Sequence, residues 1–304
     1  MRKRLPQFIP DDFTKIDRAF LAAVFVLHFA LALFFVFAIP LYDGPDENGH
    51  FAYVKQLATE HQLPQLVGKV EMVDRRTGAI GAHPPLAYVL GTPVYAATQF
   101  WGDKVAGHAL RIEATLWSGI TLALCWLLLC QNFPDHKRLN LAAITFAALL
   151  PHYVLLSSVW NSDGLLILLS TLFVWRLIAL TKEPTQESST TRDWLWMGVL
   201  WGCLLLTKAT ALMYVAPVFL VLVWQALRKT RSLPSSLVSF LSFVIPGVLI
   251  GGWWSLRSYL RTGAIHPVPD LNYQNVLLKS PFDLILDPNA PILIGRFLAG
   301  AMRS

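Results

Sequence analysis

The chain has 304 residues, of which 55% are hydrophobic and only 14% are charged, a balance that a soluble domain with a solvated surface does not accommodate. Its net charge of +6 does not indicate nucleic acid, because Lys and Arg lie in short clusters between apolar runs rather than along one face. Apolar stretches of roughly 17 to 22 residues recur, and each is long enough to cross a bilayer. Composition therefore predicts an all-α integral membrane protein.

The first apolar run, from about Ala19 to Pro40, is too long for a signal peptide and lacks a small-x-small cleavage site, so it should remain as an anchor. We expect a cytoplasmic N-terminus over residues 1–17, a seven-span module over 18–256 and an outer segment over 257–304. The predicted spans are about 18–40, 108–130, 138–159, 163–181, 193–208, 210–228 and 234–256.

The loop between the first two spans, residues 41–104, is far longer than the other connections, and long loops often carry function. Two amphipathic pieces in it, Phe51–His61 and Leu86–Phe100, predict helices lying along the membrane surface. Basic residues precede the first span and follow the second and sixth spans, so the positive-inside rule assigns those ends to the cytoplasm. The long loop should then face outward.

An acidic cluster, Asp46 and Glu47 with His50, follows the first span. Pro45 suits the first turn of a helix, whose positive N-terminus would favour ionised carboxylates at the next two positions. His50 lies one turn after Asp46 on the same face. A carboxylate held there can act as a general base or bind a divalent cation, for which Asp46, Glu47 and His50 are the candidate ligands. Helix capping on a solvated surface is the simpler alternative.

Two further polar segments occur at predicted outer positions. His83 precedes Pro84 and Pro85, which fix the backbone and can hold the imidazole beside the acidic cluster, although a plain loop entering a helix has the same pattern. Asn161 and Asp163 open the fourth span, where capping is the expected role.

Three basic residues lie on the outer side, against the usual charge bias: Lys208, Arg257 and Arg261. An anionic ligand at the outer leaflet, such as a lipid phosphate, would explain them, because Arg and Lys are the usual phosphate partners. Snorkelling to ordinary lipid headgroups is the alternative.

Together these motifs resemble the polytopic GT-C glycosyltransferases, in particular the protein O-mannosyltransferase and aminoarabinose transferase group and related bacterial membrane proteins with a Pro-Asp-Glu-x-x-His loop. The resemblance covers roughly residues 18 to 267. The motifs that carry it are Gly44-Pro-Asp46-Glu47-x-x-His50-Phe-x-Tyr53, His83-Pro-Pro-Leu-x-Tyr88, Asn161-x-Asp163, Gly202-x-x-x-x-Thr207-Lys208 and Trp253-Trp-x-x-Arg257-Ser-x-x-x-x-Thr-Gly263.

The resemblance implies a seven-span module in a bacterial inner membrane, with its active site facing outward. It implies transfer of a sugar, with inversion, from a polyprenyl-phosphate donor to a lipid, glycan or protein acceptor. The expected partners are this donor, the acceptor and membrane lipids, and no nucleic acid is expected. Asp46 matches the catalytic carboxylate and Glu47 its companion, while some relatives also use a divalent metal cation. Lys208 and Arg257 would neutralise the departing phosphate. The full substrate-binding set is His50, Tyr53, His83, Lys208, Arg257 and Arg261.

Two departures from the family pattern keep other functions open. Ser258 stands where many relatives have Asn, and the chain stops at Ser304 where relatives continue, which indicates a fragment or a short paralogue. An inactive accessory subunit with the same fold is therefore one alternative. A transporter or lipid flippase is another, and it would show related halves with interrupted helices, but no convincing repeat is found.

Overall fold

The structure is a computed structural model that describes residues 13–65, 77–181, 190–228 and 231–263. Within these ranges the chain forms α-helices and short 3-10 segments, without β-strands. The α-helices are α1 (Lys15–Ala38), α2 (Glu47–Glu60), α3 (Leu86–Thr98), α4 (Asp103–Asn132), α5 (Lys137–Leu149), α6 (Pro151–Ser158), α7 (Ser162–Thr181), α8 (Thr191–Leu205), α9 (Val215–Leu227) and α10 (Leu233–Thr262). The 3-10 segments are Gly78–Ala82, Gln99–Trp101 and Ala209–Tyr214.

Five helical segments of the described ranges are long and apolar enough to cross a membrane, and the bent pair of α5 and α6 makes a sixth if it counts as one span. An all-α integral membrane protein is therefore confirmed, whereas the predicted count of seven spans is not. The difference is α8, the fifth predicted span, which has 15 residues. A helix of that size is roughly 22 Å long, shorter than the roughly 30 Å hydrocarbon core.

The third predicted span is broken into α5 and α6, which are bent by 52°. The break falls at Pro151, the first residue of α6, because proline has no N–H to continue the hydrogen-bond ladder of α5. His28 of α1 packs at this break, hydrogen-bonded to the Ala148 carbonyl at 2.8 Å and to the Ser118 hydroxyl at 2.9 Å. It acts as a satisfied packing residue, as expected for a lone histidine within a span.

Glycines let α8 and α10 approach closely. A Cβ added at Gly198 would lie 2.2 Å from the Phe243 carbonyl oxygen, and one at Gly251 would lie 2.5 Å from Leu205 Cβ. Gly198, in the middle of α8, meets Phe243, whereas Leu205 at the end of α8 meets Gly251, further along α10. The two helices therefore run in the same direction. Their ends therefore lie side by side, which brings Lys208 near the last turns of α10.

The long first loop is fastened to these helix ends by hydrogen bonds. The Leu86 N–H at the start of α3 donates to the Leu206 carbonyl at 2.8 Å, and Trp254 Nε1 of α10 donates to the Ala82 carbonyl at 3.3 Å. These bonds position α3 and the 3-10 segment before it against the ends of α8 and α10. A buried aromatic cluster fills the space between the loop helices, α4 and α7, and it includes Phe51, Tyr53, Tyr88, Tyr95 and Trp160.

Candidate active site

A buried ion pair joins the first loop to the membrane helices. Glu47 is only 3% exposed and Arg111 of α4 is fully buried. Arg111 donates from Nε to Glu47 Oε1 at 2.7 Å and from Nη2 to Oε2 at 2.6 Å. Its other donors reach three carbonyls at the end of α1, those of Val36, Ile39 and Pro40. Arg111 therefore fixes the end of α1 relative to the start of α2.

The Glu47 carboxylate also accepts three backbone N–H groups. Oε2 accepts from Tyr42 at 2.9 Å and from Gly44 at 3.4 Å, and Oε1 accepts from Trp160 at 3.3 Å. With the two bonds from Arg111, every lone-pair direction of the carboxylate has a donor, which is the condition for burying a charge without a large penalty. Glu47 is thus the centre of a closed network.

Asp46, the neighbouring carboxylate, lies in a different environment. It is exposed and takes the N-cap position of α2, but its side chain makes no capping hydrogen bond. Its backbone is left-handed, with φ 55° and ψ 8°, a conformation that costs a non-glycine residue free energy and often marks functional sites. The network around Glu47 holds the chain on both sides of this residue, so the Asp46 carboxylate remains available at the surface.

Beside the acidic residues lies a layer of stacked rings. Tyr53 and Tyr88 stack with their centroids 3.9 Å apart, and Trp160 lies 5.7 Å from Tyr88. The Tyr88 hydroxyl forms hydrogen bonds with Nδ1 of His50 at 2.9 Å and with Nδ1 of His83 at 3.3 Å. The predicted residues His50, Tyr53 and His83 are therefore brought together around one tyrosine.

Burial and nearby charged groups shift the pKa values of the side chains in this ring layer. Burial lowers the pKa of His50 to about 3, and the charges of His83 and Lys208 contribute to the lowering. Burial raises the pKa of Tyr53, and the positive charge of Arg257 opposes that rise. The imidazole of His50 is consequently neutral at pH 7, and both predicted phosphate partners lie within electrostatic range of the ring layer.

The Tyr88 hydroxyl has two carboxylates near it. Burial raises its pKa well above the ordinary value, and Tyr53 and then the negative charges of Asp163 and Asp46 raise it further. Asp46 immediately precedes Glu47, whose Oε1 accepts the Trp160 N–H at 3.3 Å, so Asp46 lies near the start of α7 although it comes from a different element.

Lys208 forms an ion pair with Asp163, with Nζ 2.5 Å from Oδ1 and both side chains about one-third exposed. The side-chain oxygen of Asn161 accepts the N–H groups of Asp163 at 2.9 Å and Gly164 at 3.3 Å, so the capping role expected at this helix start falls to Asn161 and not to Asp163. The cap leaves the Asp163 carboxylate free to reach Lys208. The pair stands at the meeting point of α7 and the turn after α8.

Two contacts hold Arg257 in place, and one of its nitrogen donors has no acceptor in the described part of the chain. Its Nη2 donates to the Pro64 carbonyl at 2.9 Å, and its guanidinium carbon lies 4.6 Å from the ring centroid of Trp254. Its Nη1 is buried and has no acceptor within the described ranges. Arg261 follows one turn later on α10 and is exposed.

The three residues predicted as metal ligands do not fit a divalent cation together. Glu47 is saturated by Arg111 and backbone donors, and His50 uses Nδ1 for its bond with Tyr88. Across the described ranges no three His, Cys, Asp or Glu side chains lie close enough to hold a metal ion. Asp46 is therefore not part of such a group.

Sequence reasoning missed two charged residues in the second span. Arg111 pairs with Glu47, and Glu113 accepts a hydrogen bond from Trp160 Nε1 at 3.1 Å. Both fall inside the predicted span 108–130, where any ionisable residue marks a functional or structural site. That signal was present in the sequence.

Comparison with known families decides the class of this protein. A sequence profile of the dolichyl-phosphate-mannose-protein mannosyltransferase family matches residues 83–250, more than half of the chain. The chain belongs to this family. It is therefore a membrane-embedded glycosyltransferase of the GT-C type, as the motif resemblance predicted, and the transporter alternative is not supported. Membership rests on a range that includes His83 and Lys208 and ends before Arg257, and no curated protein matches the chain.

Proposed function

We propose that this mannosyltransferase-family chain transfers a sugar from a polyprenyl-phosphate donor to a lipid, glycan or protein acceptor, with inversion, at the outer face of a bacterial inner membrane. One observation carries the proposal: the exposed, uncapped Asp46 begins the helix whose Tyr53 stacks on Tyr88. Hydrogen bonds from Leu86 to Leu206 and from Arg257 to Pro64 hold Lys208 and Arg257 against the same loop. A base and two cations around an aromatic surface are the groups that this reaction needs.

In the proposed reaction the Asp46 carboxylate takes the proton from the acceptor hydroxyl or amine. The acceptor atom attacks the anomeric carbon as the bond from that carbon to the phosphate oxygen breaks. The electron pair of that bond leaves with the polyprenyl phosphate, which gains one negative charge. A single displacement of this kind inverts the anomeric configuration.

Lys208 and Arg257 are proposed to bind that phosphate. Arg257 has a buried Nη1 without an acceptor in the described part of the chain, and Lys208 pairs with a carboxylate that is itself partly exposed. A departing phosphate would supply the missing acceptor and compete for the lysine, so both cations would act most strongly when the charge develops. Arg261, one turn beyond, is proposed to attract the donor from the surface.

Glu47 is proposed to position the base instead of reacting. Its oxygens already accept five hydrogen bonds, so it has no lone pair to offer a substrate. His50 and Tyr53 are buried and are proposed to support the ring layer, whereas the half-buried His83 is proposed to contact the sugar.

The outward orientation has support from charge at the opposite helix ends. Lys137 begins α5 and Arg228 follows α9, and both lie at ends remote from the Lys208–Asp163 pair. Cytoplasmic ends carry the excess of basic residues.

Asp46→Asn tests the proposal, with Asp43→Asn as the matched control. Both aspartates are exposed and lie in the same loop, so neither substitution should lower expression or thermal stability. With radiolabelled polyprenyl-phosphate mannose and membranes containing the acceptor, Asp46→Asn should lower transfer by roughly 100-fold or more, while Asp43→Asn should retain it. Equal transfer by the two variants would contradict the assignment of Asp46 as the base.

A further inference from the structure

The face of α2 opposite the ring layer borders a second cavity. Its volume is about 410 Å³, within the range of roughly 300–1,000 Å³ found for small-molecule sites. Helical spacing separates the two faces, because Asn48, Ala52, Lys55 and Thr59 recur at three or four residues on one side. We call this cavity the outer groove. The residues that line it are Tyr42, Asn48, Phe51, Ala52, Lys55, Gln56, Thr59, Glu60 and Asp103.

Gln56 provides an unused hydrogen-bonding group in the outer groove. Its side chain is 4% exposed, and its carbonyl oxygen Oε1 is buried without a donor in the described part of the chain. Leaving a buried acceptor unsatisfied is unfavourable, so it persists where something other than stability favours it. A ligand that brings an O–H or N–H into the groove would satisfy this oxygen.

Aromatic rings line the groove beside these amides. The ring centroids of Tyr42 and Phe51 lie 5.0 Å apart. Tyr42 has a left-handed backbone, with φ 74°, and its N–H donates to the buried Glu47 carboxylate at 2.9 Å. The same network that supports the reaction site therefore also fixes a strained aromatic residue at the groove. Rings next to amide and hydroxyl groups suit a ligand with one C–H face and a hydroxyl rim, as in a pyranose.

The charge of the groove separates it from the phosphate partners. Its lysine, Lys55, is already paired with Asp103 at 2.5 Å, and Asp103 also accepts from the Tyr95 hydroxyl at 2.8 Å. Glu60 also lines the groove. Because the one lysine of the described lining is already neutralised by Asp103, the groove offers a phosphate no uncompensated cation, which leaves a neutral, hydroxyl-rich ligand as the best match.

We propose that the outer groove binds a sugar unit of a neutral saccharide, at a site separate from the reaction centre. The site holds the saccharide through hydrogen bonds to Gln56 and Asn48 and through contact with the Tyr42 ring. This inference does not depend on Asp46 acting as a base, because it rests on residues of the other face of α2.

Saccharide binding by the full chain in lipid nanodiscs tests the proposal. The probes are a mannose trisaccharide and an N-acetylglucosamine trisaccharide, and phosphocholine is the headgroup control. Saturation-transfer NMR measures the binding of each probe. Gln56→Leu should weaken the binding of at least one trisaccharide about tenfold, the loss expected for one or two hydrogen bonds. The matched control is Gln62→Leu, an exposed glutamine two residues beyond α2, which should bind as the wild type does.

A second variant and a stability measurement separate binding from folding. Gln56→Leu removes an unsatisfied buried acceptor, so its melting temperature without saccharide should equal or exceed that of the wild type. Ala52→Trp should fill the groove and block binding, whereas Asp46→Asn should retain it. The proposal would be overturned if the wild type bound no saccharide, if only phosphocholine bound, or if Gln56→Leu and Ala52→Trp bound saccharide as tightly as the wild type.

Discussion

Two ion pairs near the reaction site have the same chemistry and opposite surroundings. The side chains of Arg111 and Glu47 are 0% and 4% exposed, whereas those of Lys208 and Asp163 are 31% and 37% exposed. The buried pair also binds the backbone of three chain segments, and the partly exposed pair binds only side chain to side chain. The difference indicates that the Arg111–Glu47 pair holds the site together, whereas the Lys208–Asp163 pair is available to a substrate.

A low dielectric and full hydrogen bonding make the buried pair nearly irreplaceable, because removing either partner leaves a charge without water or a counterion. The exposed pair is screened by solvent and contributes little to stability. Its members can exchange partners when a phosphate arrives. Substitution of Arg111 and of Lys208 tests this difference.

The largest effect should follow from Arg111→Met, which leaves the Glu47 charge buried and three α1 carbonyls without donors. We expect a loss of about 3–5 kcal/mol in the free energy of unfolding, visible as a large drop in melting temperature in detergent. Arg176→Met is the matched control, because Arg176 pairs with Asp193 while remaining 42% exposed. It should cost less than about 1 kcal/mol. Similar melting temperatures for the two variants would show that burial does not distinguish the pairs.

The opposite pattern is expected for Lys208→Met. Folding should remain normal, since the pair is partly exposed, but transfer from a polyprenyl-phosphate sugar should fall by roughly 100-fold because the phosphate loses a cation as it departs. The matched variant is Asp163→Asn, which keeps the lysine charge and should retain more than about one-tenth of the activity. If both variants lose activity equally, the pair acts as a unit and the phosphate role of Lys208 is wrong.

The sequence predicted the membrane class and most helices because apolar length and periodicity are local properties. It also marked the 46–50 cluster, since acidic residues beside a span are conspicuous. The count of spans failed at α8, because an apolar run does not fix the length of the helix it forms, and α8 has only 15 residues, too few to cross the hydrocarbon core.

The partners of the acidic residues were beyond sequence reasoning. Glu47 and Asp46 are adjacent and chemically alike, yet one is buried by Arg111, which lies 64 positions away, and the other is exposed. Only the packed structure distinguishes them. Likewise, Asn161 caps α7, and the Asp163 carboxylate is therefore able to pair with Lys208. Which of the two residues caps the helix depends on local geometry.

The smallest effect concerns His50, which follows Glu47 on α2 and whose pKa is lowered by burial and, to a smaller extent, by His83 and Lys208. Since burial and these charges lower the folded pKa from 6.5 to about 3, the unfolded state binds the proton first as pH falls. The resulting stability is fully present above about pH 6.5 and is lost progressively toward pH 3, by about 1.4 kcal/mol per pH unit.

Melting temperatures measured from pH 7 to pH 5 should therefore decline in the wild type, and His50→Gln should remove much of that slope because glutamine does not titrate. At pH 5 the loss attributable to His50 amounts to about 2 kcal/mol, the product of that slope and the distance from the unfolded pKa. His61→Gln provides the control, since His61 is exposed at the end of α2 and its replacement should leave the slope unchanged. An unaltered slope in His50→Gln would mean that His50 is not held neutral by its surroundings, and that this buried region is more hydrated than its packing indicates.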